Sequence, residues 1–376
     1  MLLKINYFRS NKFIEHLFLL RVSALMQNHE SSPSHSDSSH PNEELIQKIK
    51  EFIASTGADP QSQEADLVGQ MIYTSLRMIN EGFDRGQLKL MTRAFKEMRY
   101  AYRVFNEHRL GRSVSIFGSA RTPESHPDYQ AAKTFSYAIA SLGWVCMTGA
   151  AEGIMRAGLQ GTQKNCNFGL SIRLPFENNN IHAVLAGDPK LINFRYFFTR
   201  KLMFLSHSDA IVAFPGGVGT QDELFEVLTL MQTGKTNIVP LVLLEGGHGE
   251  YWQAWEHYIQ NNLLANGWIS AEDQYLYYRA PGVQEAVDHI VQFYRRYHSS
   301  RYVKDTLVIR LLTPLTPPQI ALLNREFQSL IKEGSIYATA SLLEEDDHLD
   351  LPRIAFEHNR KSFGTLRSMI DKINAL

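Results

Sequence analysis

The sequence predicts an α/β protein built on a doubly wound, Rossmann-like parallel sheet, with a helical extension before it and a small α+β module after it. Two observations carry that reading. From Ser113 onward, short apolar runs alternate with stretches of helical periodicity, the order of a parallel sheet with right-handed crossovers. Three glycine-bearing turns each follow one of those runs, and the strands' C-terminal edge is where such a fold binds ligands.

The chain has 376 residues, 44% hydrophobic and 20% charged, with a formal net charge of -1. That length suits two or three domains, each able to bury a core. The charge balance excludes a strongly basic nucleic-acid binder. Two cysteines, Cys146 and Cys166, provide neither a disulfide framework nor a metal-ligand set, so a reducing cytoplasm is expected. Neither HExxH nor CxxC occurs, so no metal and no cofactor is expected.

Residues 1–42 are read as disordered or as preceding the true start, with Met26 an alternative initiator. The run at Phe18 to Leu20 is broken by Glu15, His16 and Arg21, which leaves no convincing signal segment or membrane span. Residues 43–111 show apolar spacing of three and four, in Leu45 to Ile53 and in Leu88 to Phe105, interrupted at Ser55 to Pro60. They form a helical extension suited to packing or oligomerisation.

Residues 112–300 hold the sheet. Expected strands are Val114 to Phe117, Trp144 to Met147, Phe168 to Leu174, Asp209 to Phe214 and Ile238 to Leu244. Helices are expected over Asp128 to Leu142, from Ile154, around Phe194 to Leu205, from Leu224, over Glu250 to Leu264 and over Val283 to Tyr297. Residues 301–376 then read β-α-β-β-α, roughly ferredoxin-like: Thr306 to Leu312, Pro317 to Lys332, strands near Ile336 to Leu343 and Arg353 to Glu357, and Phe363 to Leu376. The acidic loop Glu344 to Asp347 between them reads as a solvated turn.

The chemistry concentrates in the turn from Pro215 to Glu223, PGGVGTQDE. Three glycines where a strand gives way to a helix bring backbone close to a ligand, and the helix N-terminus offers unpaired N-H groups and a partial positive charge. An anion, above all a phosphate, fits there, with Glu223 beside it. The spacing is neither GxGxxG nor GxxxxGK[ST], so dinucleotide and Walker sites are not indicated.

The same stretch resembles the PGGxGTxxE signature of the LOG family, phosphoribohydrolases that release a base from a nucleoside 5'-monophosphate. Arg200 and Lys201 resemble the family's Arg-Lys pair on the preceding helix. Phe117 to Pro123 (FGSARTP) and Thr229 to Gly234 (TLMQTG) resemble the longer bacterial members. The resemblance spans Val114 to Leu264, and nothing supports the lysine decarboxylase label that many relatives carry.

The resemblance implies that Glu223 and Arg200 are catalytic. It also implies that Gly216, Gly217, Gly219 and Thr220 hold the phosphate, with Lys201, Gly118, Ser119, Gly149 and Gly153 completing the binding set. Cleaving an N-glycosidic bond passes through an oxocarbenium-like sugar, which a carboxylate stabilises while it activates water. Glu226 either reaches the ribose or is a helix-surface carboxylate. The resemblance also implies a homodimer or higher homo-oligomer.

One departure stands out. Where relatives carry TGGGPG, this chain has Thr148 to Gly153, TGAAEG. The added methyl groups are expected to narrow the approach to a ligand, and Glu152 to bring negative charge to it. The alternative function is therefore a nucleotide or cofactor carrier without turnover on the same scaffold. A further reading makes the C-terminal module a small-molecule sensor. His182 and His207 read as structural or exposed.

Overall fold

A computed structural model of the chain describes residues 43–108, 111–162, 166–173, 185, 187–247 and 249–376. The expected N-terminal disorder, the third strand's last residue Leu174, and His182 lie outside them. The chain forms two compact units, divided between Lys89 and Leu90.

In the first unit, α1 (Glu43–Ser55) packs on α2 (Gln63–Asn80) through Ile49, Ile53 and Ala65, with Leu45, Ile72 and Tyr73 at the edges. Ser62 caps α2, its hydroxyl accepting from Ala65 N at 3.2 Å. The next helix, α3 (Arg85–His108), follows.

The second unit carries a seven-stranded parallel sheet. In chain order its elements are β1 (Ser113–Phe117), α4 (Pro127–Ser141), β2 (Val145–Thr148), α5 (Ile154–Gln160), β3 (Asn167–Ile172), β4 (Leu191–Phe194), α6 (Phe197–His207), β5 (Ala210–Ala213), α7 (Val218–Gln232), β6 (Leu241–Leu243), α8 (Glu250–Tyr258), β7 (Tyr278–Arg279) and α9 (Val283–Phe293). The strand order is β4-β3-β2-β1-β5-β6-β7. The chain walks outward from β1 to β4, then jumps back to β5 on the other side of β1. The reversal between β1 and β5 is the crevice where such sheets bind ligands.

Side chains alternate across the sheet, as strands buried on both faces require. Phe117, Val145, Met147, Phe168, Ile211, Ala213 and Leu243 face Phe105, Met203, Phe204, Leu224, Val227 and Trp252 on α3, α6, α7 and α8. Val114, Ile116, Cys146, Val212 and Val242 face Tyr129, Phe135, Ile139, Ile154 and Ile290 on α4, α5 and α9. Each such large side chain contributes about 1.5–3 kcal/mol of burial.

The structure adds two strands to the five expected. β4 ends on Phe194, where the next helix was expected to begin, and β7 is only two residues long. At the other end, the helix expected to reach Tyr297 stops at Phe293 (α9), and Tyr297 opens β8 (Tyr297–Val303) instead. β8 pairs antiparallel with β9 (Thr306–Leu311), and the four-stranded order is β10-β11-β9-β8, with β10 (Tyr337–Thr339) and β11 (Arg353–Glu357). The expected β-α-β-β-α order survives with a hairpin partner added. Its helices are α10 (Pro317–Glu326) and α11 (Phe363–Ala375).

The acidic loop is not a plain solvated turn. Glu345 is buried and pairs with Arg310 at 2.7 Å and Arg353 at 3.6 Å, the two arginines facing each other across β9 and β11. Among the described residues no helix is long and apolar enough to cross a membrane, and no group of three His, Cys, Asp or Glu is placed to hold a metal.

Candidate active site

The three glycine-bearing turns follow β2, β1 and β5, which are neighbours in the sheet, so the topology places them side by side. Backbone bonds through Ser119 staple them together. Its N-H donates to Pro215 O at 3.1 Å, and its carbonyl accepts from Ile154 N at 3.0 Å.

The glycines divide into two kinds. A Cβ on Gly118 would come within 2.6 Å of Ile154, on Gly153 within 2.2 Å of Ser119 O, and on Gly216 within 2.1 Å of Thr220 Oγ1. Those three are glycine because chain meets chain. At Gly217 and Gly219 a Cβ would meet nothing within 4 Å. That is open space above the start of α7. The first donors that bond back are Thr220 and Gln221, both to Gly217 O at 3.0 and 3.1 Å. The N-H groups of Val218 and Gly219, ahead of them in the first turn, have no intrahelical acceptor to reach.

Glu223 lies one turn on, with its side chain almost wholly buried. Two cations from α6 face it: Arg200 Nη2 at 3.7 Å from Oε1 and Lys201 Nζ at 3.9 Å from Oε2. Burial pushes the Glu223 carboxyl up to about 7, against the opposing pull of Lys201 and Arg200. A carboxyl held near neutrality, between two cations and beside an open anion cradle, has the charge change that proton transfer at physiological pH requires.

Arg200 is partly buried, and its buried Nε has no hydrogen-bond partner among the described residues. Its guanidinium lies 5.1 Å from the Phe197 ring, and a Cβ on Gly149 would be 3.7 Å from its Nη1. The fork thus spans from the second turn to Glu223 and keeps donors for a ligand. Glu97 on α3 holds the start of α6, accepting from Arg195 N at 2.9 Å and Thr199 Oγ1 at 2.8 Å.

Lys201 is committed to carboxylates, with Asp222 at 2.7 Å and Glu226 at 2.6 Å. Glu226 is therefore an ion-pair partner of Lys201 at the edge of the site. Asp222 was not singled out from the sequence, although it stands inside the signature. Glu97 left no signal at all, since about a hundred residues of chain separate it from α6.

The second turn differs from its expectation. Ala150 adopts a positive φ of 55°, a conformation that favours glycine. Its methyl group packs among Leu159, Leu185 and Leu191, and a Cβ on Gly169 would come within 2.9 Å of it. This methyl fills core space rather than narrowing the ligand's approach. Glu152 is half-exposed and pairs with Arg156 at 3.2 Å. His207 is buried against Phe105, with ring centroids 3.7 Å apart, and its Nδ1 lies 3.0 Å from Met203 O.

Residues 147–290 match the family model described as "Possible lysine decarboxylase". Among curated proteins, the chain is 33% identical over 99 residues to a cytokinin riboside 5'-monophosphate phosphoribohydrolase of Arabidopsis thaliana, covering 26% of this chain and 44% of that one. It is 40% identical over 72 residues to the enzyme of that name in Mycobacterium tuberculosis, covering 19% and 36%. The chain thus spans less than half the length of these relatives. A solved structure, the molybdenum cofactor binding protein of Rippkaea orientalis, is 19% identical with a TM-score of 0.34, covering 48% of this chain and 96% of that one. With the PGGVGTQDE turn set above β5 and an Arg-Lys pair facing its glutamate, this chain resembles the LOG family over the residues that the model and these relatives match.

Proposed function

We propose that the protein is a nucleoside 5'-monophosphate phosphoribohydrolase, cleaving the N-glycosidic bond to give free base and ribose 5-phosphate. The observation that carries this reading is Glu223, a buried carboxyl near pKa 7 that stands between Arg200 and Lys201 beside the open glycine cradle. The phosphate would lie at Gly217 to Thr220, on the free N-H groups of α7. That pose brings the ribose over Glu223. Its ionised carboxylate then stabilises the positive charge that grows on C1' and takes a proton from the attacking water. Arg200 supplies donors to the phosphate or sugar and keeps Glu223 oriented.

The names of the curated relatives support this reading and suggest AMP or a cytokinin riboside monophosphate as substrate. We also propose a homodimer. Phe197, Phe198 and Leu202, beside Arg200 and Lys201 on α6, are each 43–52% exposed, an apolar rim that a second copy would cover. Free thiols at Cys146 and Cys166 suit a cytoplasmic location.

Incubation with AMP, GMP, CMP and isopentenyladenosine monophosphate, with released base and ribose 5-phosphate both measured, tests the activity. Folded protein that releases base from none of them refutes it. AMP binding by calorimetry without base release would instead favour the carrier reading.

A further inference from the structure

A chain of three hydrogen bonds runs from Trp255 through Gln221 and Tyr251 to the backbone of Gly216 beneath the cradle, and none of those three side chains belongs to the set implied by the signature. Trp255 Nε1 donates to Gln221 Oε1 at 3.0 Å, Gln221 Nε2 lies 2.8 Å from Tyr251 Oη, and Tyr251 Oη donates to Gly216 O at 2.6 Å. The direction of this relay is fixed from one end. An indole N-H can only donate, so Gln221 must present its oxygen to Trp255 and its amide N-H to Tyr251. Tyr251 then accepts from Gln221, and its own proton is left to point at Gly216 O.

Trp255 is itself anchored. It is buried in the core on α8, edge-on to Trp252 at 6.0 Å and to Tyr277 at 5.2 Å between ring centroids. The relay therefore ties the glycine turn to a buried aromatic cluster of the domain core. Glycine turns need such a tie, because their backbone has the most conformational freedom to lose on ordering.

The consequence follows from peptide geometry. The peptide joining Gly216 to Gly217 is planar and trans, so its C=O and N-H point in opposite directions. Holding Gly216 O on Tyr251 turns the Gly217 N-H away from Tyr251. The Gly217 Cβ position has nothing within 4 Å, so the space around this residue is open.

We propose that Tyr251 is a positioning residue for phosphate recognition, with Gln221 and Trp255 setting the direction of its hydroxyl. The inference rests on the nucleotide reading of the site. Tyr251 touches no reacting atom; it acts through the orientation of the Gly216–Gly217 peptide. Losing that hydrogen bond weakens phosphate binding in ground state and transition state alike, which raises KM and leaves kcat nearly unchanged.

The test compares wild type with Tyr251→Phe, which keeps the ring and removes only the hydroxyl, and with Gln221→Leu, which leaves Tyr251 without its donor. Steady-state kinetics are measured on AMP and on adenosine, which lacks the phosphate. For Tyr251→Phe the KM for AMP is expected to rise about fivefold or more, the scale of one lost hydrogen bond, with kcat changed less than about twofold. The residual kcat/KM on adenosine should not change. Gln221→Leu should shift the same quantities in the same direction by less. An unchanged KM for AMP, or equal losses on AMP and adenosine, overturns the proposal, because a merely structural tyrosine would harm both substrates. If the wild type cleaves no nucleotide, the function assigned above has failed, and AMP titrations by calorimetry decide this point separately. Weaker binding to Tyr251→Phe than to wild type then upholds it; equal binding, or no binding by either, overturns it.

Discussion

The burial of Glu223 costs stability, and the sign of that cost follows from its raised carboxyl. Its folded carboxyl sits at about 7, above the ordinary 4.5, because burial outweighs Lys201 and Arg200. Between those values the folded state keeps a proton that the unfolded chain has released, so stability falls as pH rises from about 4.5 to 7 and is flat above. Glu223→Gln removes the slope. We expect it to melt close to wild type at pH 4.5 and above it at pH 8, by on the order of 1–3 kcal/mol. Its kcat should fall about a hundred- to ten-thousandfold, the usual contribution of a positioned acid–base group. Thermal melts across pH beside AMP kinetics check both halves, and a variant less stable than wild type at pH 8 contradicts the burial argument. In the wild type, kcat/KM for AMP should climb to a plateau above about pH 7. Lys201 is one of the two cations that hold the carboxyl down. Lys201→Met should therefore move that limb to higher pH, and a limb left in place or moved lower would show that Lys201 does not tune Glu223.

The cradle's glycines separate folding from binding at the level of the turn. At Gly216 a Cβ would strike Thr220 Oγ1 at 2.1 Å and come within 3.0 Å of Ser119 N, so Gly216→Ala must open the junction between two turns. Gly219 is in α7 with open space around it, where alanine gains about 0.5–1 kcal/mol of helix propensity. We expect Gly216→Ala to lower both Tm and AMP affinity, and Gly219→Ala to raise Tm while AMP affinity drops about tenfold or more. Unchanged AMP affinity in Gly219→Ala would mean the phosphate lies elsewhere. This division between the glycines was invisible in the sequence, where all three read alike. Strands rich in apolar residues, such as Val114 to Phe117 with only Ser115 interrupting and the continuous run through Ile211 to Ala213, were legible because a strand buried on both faces needs them. β4, four residues, and β7, two, are too short to show a period. β8, Tyr-His-Ser-Ser-Arg-Tyr-Val, is a half-buried edge strand whose polar middle carries no strand signal. Glu223 and Arg200 were readable because a local motif carries each of them. Tyr251 and Glu97 were not, since they act on backbone or side chains 35 and about a hundred residues away.

At the scale of the molecule, the C-terminal sheet and its helices are built into the core beside the parallel sheet. Ile238, just ahead of β6, and Phe293, the last residue of α9, share one cluster with Leu307, Ile309, Phe356, Met369 and Ile373. Two glycines mark where α11 presses on the parallel-sheet part. A Cβ on Gly364 would lie 2.0 Å from Glu272 O, and one on Gly234 would lie 2.0 Å from the Phe363 ring. Asn374 bonds backbone across the same seam, accepting from Arg296 N and Tyr297 N at 2.9 Å each and donating to Phe293 O at 2.6 Å. Removing Asp305 to Leu376 would strip that cluster and leave these backbone groups without partners. The truncated chain is therefore expected to be insoluble or to melt far below the full chain, rather than to behave as an enzyme freed of a sensor. Asn374→Ala isolates the seam without deleting anything. It leaves the buried Tyr297 N-H, the part-buried Arg296 N-H and the Phe293 carbonyl without this partner, and should cost about 2–4 kcal/mol of stability at about 1–3 kcal/mol for each group that finds no water. Its kcat and KM for AMP at 25 °C should stay within about twofold of wild type, because Glu223 and the cradle stand at the opposite, C-terminal edge of the strands. A well-folded, fully stable truncation would show instead that the C-terminal sheet is an independent appendage. An Asn374→Ala variant with normal stability and altered AMP kinetics would show that the seam communicates with the site.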